Sequence, residues 1–128
     1  MRTENGTEFG DLPKFVDYEY CTNVARINAA GIATLARGPQ PPSKVEILTA
    51  QLANDTGLRW KKNPEKDLAG YLVRYRTTSS PVWENTLFTS DTTVTIKVSK
   101  DDFLFGVQAV DKEGNASLVT LPRPSGRQ

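Results

Sequence analysis

Apolar residues change their spacing once along this chain, and the change divides it. From Val16 to Leu35 the apolar and small positions Val16, Tyr20, Val24, Ile27, Gly31 and Leu35 recur at three- and four-residue steps, one face of a helix. The spacing predicts a helix over residues 15–37. Asp17 is its expected N-cap, and Glu19 lies in the first turn, where the dipole favours a carboxylate. Gly38 is the expected C′ residue, and Pro39 forbids continuation. After residue 43 the period falls to two. Val45 and Ile47, Leu58 and Trp60, Tyr71, Val73 and Tyr75, Val94, Ile96 and Val98, and Phe103, Phe105, Val107 and Ala109 each alternate with other residues. Asn54–Gly57, Asn63-Pro64, Ser79–Pro81 and Glu113–Asn115 are turn signals between these runs. Short strands at near-regular intervals, with no helical stretch among them, predict a β-sandwich.

The segments around these elements complete the organisation. Residues 1–14 are polar, with Pro13 and little apolar periodicity, and are expected to form an extended or disordered tail. Residues 38–42, Gly-Pro-Gln-Pro-Pro, read as a stiff linker and as the domain boundary. The sandwich is expected over 43–122 and a tail over 123–128. Its expected core is Val45, Ile47, Leu58, Trp60, Tyr71, Val73, Tyr75, Ile96, Phe105, Val107 and Ala109.

Composition narrows the chemistry. The 128 residues are 38% apolar and 24% charged, as in a folded globular domain. A net charge of +1 gives no field to attract nucleic acid, which is therefore excluded as a partner. No apolar run approaches a membrane span, and Met1–Gly6 has no apolar stretch of the signal-peptide kind. The chain contains no histidine and one cysteine, Cys21. That inventory does not make a zinc site, and Cys21 has no imidazole to activate it as a nucleophile. Asp101, Asp102, Asp111, Glu113 and Asn115 do not have the spacing of a calcium loop and read as turn chemistry. No enzyme activity is expected of this chain. Arg59, Lys61, Lys62, Arg74 and Arg76 are expected to face outward on adjoining strands, as a solvated face or as a basic patch for an acidic partner. Trp83 and Phe88 flank a short strand and either cover the core and edge or, exposed, bind a sugar ring or a partner surface. The candidate interaction residues are therefore Trp83, Phe88, Arg74 and Arg76.

Two stretches carry resemblances. Pro41-Pro42, then Leu58-Arg59-Trp60, Asp67–Tyr71 with its Gly-Tyr pair, Phe103–Asp111 and Gly114–Ser117 occur in an order that resembles a fibronectin type III domain over about residues 41–122. The resemblance implies an all-β, seven-stranded, immunoglobulin-like sandwich preceded by one α-helix. Phe103 stands where that family usually has its corner tyrosine, so a hydrogen bond worth about 1 kcal/mol is absent. Glu8–Asp17, Val24–Ala30 and the join Ala33–Pro42 resemble the end of a bacterial secreted di-zinc aminopeptidase domain running into such a sandwich. This second resemblance implies a non-catalytic C-terminal accessory module of a larger peptidase, acting as spacer, stabiliser or interaction module. The peptidase domain would be its intramolecular partner and would hold the zinc. It also implies a periplasmic, secreted or cell-surface location. The alternative is an independent extracellular module that binds protein or polysaccharide. A monomer is expected, with self-association through the helix face as the other route to covering it.

Overall fold

A computed structural model of the chain describes residues 2–49 and 54–126; Met1 and residues 127–128 of the expected tails lie outside them. The chain divides into two compact units, Met1–Thr34 and Leu35–Gln128.

The first unit begins with a hairpin, β1 (Arg2–Glu4) and β2 (Thr7–Phe9), where an extended or disordered tail was expected. Asn5 and Gly6, with φ of 49° and 77°, both occupy the left-handed region. An Asn-Gly pair adopts that conformation at low cost, and the resulting turn matches the twist of a two-residue hairpin. A 3-10 turn at Pro13–Phe15 follows, with Lys14 paired to Glu8. Helix α1 (Tyr18–Arg37) starts three residues later than the apolar spacing predicts. Asp17 caps it as expected, its Oδ1 accepting the Tyr20 N–H at 2.9 Å. No residue of α1 is buried, and the apolar positions Tyr20, Ile27 and Leu35 are exposed.

The second unit is the sandwich. One sheet has the order β7 (Thr93–Ile96), β4 (Thr56–Lys61), β3 (Ser43–Leu48), β9 (Arg123–Pro124); the other has β6 (Asn85–Thr89), β5 (Leu68–Thr77), β8 (Phe103–Asp111). All named pairings are antiparallel except β3 with β9. The stretch after β8 bridges back to it at Val107–Thr120 and Val110–Ala116, then crosses to the other sheet to run parallel to β3. The sandwich therefore reaches Pro124, beyond the expected limit of 122.

Every expected core residue is buried except Ile47 and Tyr75, which are partly buried and pack against the rest. Trp60 and Tyr71 meet edge to face, ring centroids 5.2 Å apart, a favourable aromatic geometry. Phe103 packs beside Tyr75 at 6.0 Å, so the missing corner hydroxyl leaves the ring's packing in place. A register shift between Ser43 and Glu46, with Lys44 at φ 52°, interrupts the alternation expected for β3.

The linker belongs to this unit and is tied to it. Asn63 Nδ2 donates to the Gln40 carbonyl at 2.7 Å, and the Gln40 N–H donates to Glu65 Oε1 at 2.8 Å. Gly38 is not the left-handed C′ residue expected of it. Its N–H closes on the Leu35 carbonyl at 3.3 Å, and a Cβ there would lie 2.8 Å from the Ala116 carbonyl oxygen. Glycine is needed for that close approach.

Candidate interaction face

In β5 the core residues Tyr71 and Val73 alternate with Gly70, Leu72, Arg74 and Arg76, which face away from the core. Register puts Phe88 and Gln108 on either side of Leu72, and Thr86 and Gly106 on either side of Arg74. This outer face of the three-stranded sheet holds all four candidate residues.

Neither aromatic lies in the core. Phe88 is 55% exposed and lies within β6, rather than flanking it. Its ring covers Gly70, where an added Cβ would come 2.7 Å from Cζ and 2.7 Å from the Thr89 carbonyl oxygen. Trp83 is half-buried. Its indole lies over Gly106, where a Cβ would stand 3.1 Å from Cη2 and also overlap Val119. Each ring thus sits in the notch left by a strand glycine. The signal was present as Gly70 and Gly106 inside strand patterns, where a missing side chain marks close approach.

The arginines are fixed by neighbours. Arg76 places its guanidinium 5.6 Å from the Trp83 ring centroid and donates to the Ser80 carbonyl. Arg74 donates to Gln108, which in turn donates to the Ser117 carbonyl at 2.7 Å. The Thr77 N–H donates to Glu84 at 2.9 Å and holds that carboxyl below its usual range, pinning the turn that carries Trp83. The basic residues do not form one patch. Arg59 and Lys61 belong to β4 in one sheet, Arg74 and Arg76 to β5 in the other, so they are not on adjoining strands. Arg59 is also paired with Glu46 at 2.6 Å.

Next to Trp83 the sandwich end opens into a groove of about 410 Å³, lined by Ile47, Arg76, Trp83, Lys100, Phe103, Leu104, Phe105, Leu121 and Pro122. Ile47 and Phe103 are only partly buried, and the groove is what borders them.

Among the described residues no three His, Cys, Asp or Glu side chains converge as metal ligands. The acids at the end of β8 do turn chemistry: Asp111 Oδ1 accepts the Glu113 and Asn115 N–H groups at 3.0 and 2.8 Å, and Gly114 takes φ 88°. Cys21 is exposed on α1. Among the described residues no helix is long and apolar enough to cross a membrane.

Comparison with solved structures decides the fold. A fibronectin-type-III-like protein from Clostridium thermocellum superposes with a TM-score of 0.55 at 19% identity, covering 71% of this chain and 98% of its own. The corresponding domain of human collagen alpha-1(XX) gives 0.50 at 19% identity, covering 72% and 93%. The sandwich is a fibronectin-type-III-like fold. No family model matches the chain. Among curated proteins, a probable zinc metalloprotease of Leptosphaeria maculans is 38% identical over 125 residues, 97% of this chain and 29% of its own length. One from Pyricularia oryzae is 37% identical over 124 residues, covering 94% and 25%. The chain therefore spans less than a third of the curated relatives it matches. Such matches run through hairpin, helix, linker and sandwich together. They correct the reading of the N-terminal helix as bacterial: the relatives are fungal, and they are named zinc metalloproteases, not aminopeptidases. A periplasmic location loses its basis with that reading. The match covers only a quarter or so of much longer metalloproteases, and the chain that makes it carries a fibronectin-type-III-like fold.

Proposed function

We propose that this chain is an accessory segment of a longer, secreted zinc metalloprotease, in which it positions and stabilises the catalytic portion and performs no bond chemistry. The observation that carries this reading is the pairing of a well-packed sandwich with a helix that buries none of its own residues. Most helical stability in proteins comes from packing of an amphipathic face, which α1 lacks here. The occupant that fits its apolar face is the remainder of such a protease, since the relatives extend far beyond the matched segment. Zinc would be held by that remainder, because this chain has no histidine and no convergent ligand set among its described residues.

The linker fits the same role. Residues 38–42 are restrained by their prolines, and Asn63 and Glu65 hold Gln40 to the sandwich. The test is removal of the matching segment from the full-length Leptosphaeria maculans relative. The shortened protein should still bind as much zinc as the intact protein and lose thermal stability. Loss of zinc binding in an otherwise folded protein, or an unchanged melting temperature, would contradict the role.

A further inference from the structure

We infer that the groove beside Trp83 is a docking site for an acidic peptide segment carrying a bulky apolar side chain. Its floor is apolar, formed by the Ile47, Phe103 and Phe105 side chains. One wall is Leu121, which is 63% exposed. A cavity of about 410 Å³ is within the size range of ligand pockets and takes a leucine or phenylalanine side chain. The two charged residues that line it, Arg76 and Lys100, are both cationic, and no carboxylate lines it. Among the described residues neither is in a salt bridge; Glu84, the carboxylate that feels the Arg76 charge, accepts from Thr77 and does not line the groove. Arg76 is oriented by its stacking on Trp83 and by Ser80, and a planar guanidinium held this way keeps further N–H donors for a carboxylate. The neighbouring Asp101 and Asp102 are exposed in the adjoining turn and do not line the groove. Charge complementarity thus selects the occupant: an apolar side chain fills the floor while adjacent carboxylates meet Arg76 and Lys100. This inference stands apart from the accessory role.

The experiment uses the whole chain and two blocked pentapeptides with a Leu-Phe centre, one flanked by Asp and Glu, the other by Lys. Amide and indole NMR shifts are followed during titration. The acidic peptide should move the Trp83 indole N–H and the amides of Leu104 and Leu121. Lys100→Glu, at a surface turn, should weaken its binding about tenfold with an unchanged melting temperature. Raising the salt should weaken the acidic peptide further. Equal binding of the lysine-flanked peptide, unaltered affinity in Lys100→Glu, no shifts at these residues, or shifts caused instead by a neutral glucan oligosaccharide would each overturn the assignment.

Discussion

The phenolic oxygen of Tyr71 accepts the backbone N–H of Asn63 at 2.8 Å, and Asn63 in turn holds the Gln40 carbonyl. A core ring of one sheet is thereby connected to the chain that enters the other. Tyr71→Phe keeps the ring and removes only the acceptor, leaving a buried N–H unpaired, which costs about 1–3 kcal/mol. Urea unfolding should show that loss, and amide exchange at Gln40 should quicken with it. A variant as stable as the wild type would show that the Asn63 N–H finds another partner.

Trp60 anchors the other side of the same contact. Trp60→Ala is expected to cost about 3–5 kcal/mol, since a large buried ring is lost and the strands around it relax only partly. A loss of that size unfolds a marginal domain. A cooperative, near-wild-type melting transition would contradict its place in the core.

Two glycines should respond with opposite signs. Gly70→Ala forces a Cβ to within 2.7 Å of the Thr89 carbonyl, a backbone atom that cannot swing aside, and overpacking of this kind costs about 1–3 kcal/mol. Gly31→Ala meets nothing within 4 Å on α1 and should raise helix content, by about 1 kcal/mol of helix propensity. Chemical denaturation checks the first and far-ultraviolet circular dichroism the second.

Asp111 gives the sandwich an acid-sensitive turn. The Asn115 side chain is the chief cause holding its carboxyl below the ordinary value; burial opposes this, and backbone N–H groups of Asn115, Glu113 and Gly114 reinforce it. A folded-state pKa below the unfolded one means that the ionised form stabilises the fold above the ordinary aspartate range. That contribution is lost as pH falls through the depressed folded value. Asp111→Asn should therefore flatten the decline of melting temperature between about pH 5 and 2. An unchanged acid slope would exclude Asp111 as a contributor.

Much of this fold is written in period-two spacing, because strands with one face in a core must alternate. Leu58 with Trp60 and Tyr71 with Val73 were legible for that reason. Features made by few residues were not. β9 is two residues long and contains Pro124, so it has no period to detect. The hairpin at Asn5-Gly6 had a turn signal but no apolar alternation beside it. The sequence leaves Trp83 and Phe88 either as cover for the core and edge or as exposed interaction residues, because their places depend on Gly106 and Gly70, which leave room on the outer face. The groove joins Ile47, Lys100 and Leu121, residues far apart in the chain, and only the pairing of the sheets brings them together.

Native-state amide exchange, measured on this chain and on the full-length Leptosphaeria maculans relative, tests the accessory reading most directly. In this chain alone, β5 and β8 should exchange slowly, the Gln40 amide should be protected with them, and α1 should exchange far faster, because its apolar face is uncovered. In the relative, the matching helix should gain protection approaching that of the sandwich. Equal protection of α1 and β5 in the isolated monomer, or an unprotected helix in the full-length protein, would contradict it.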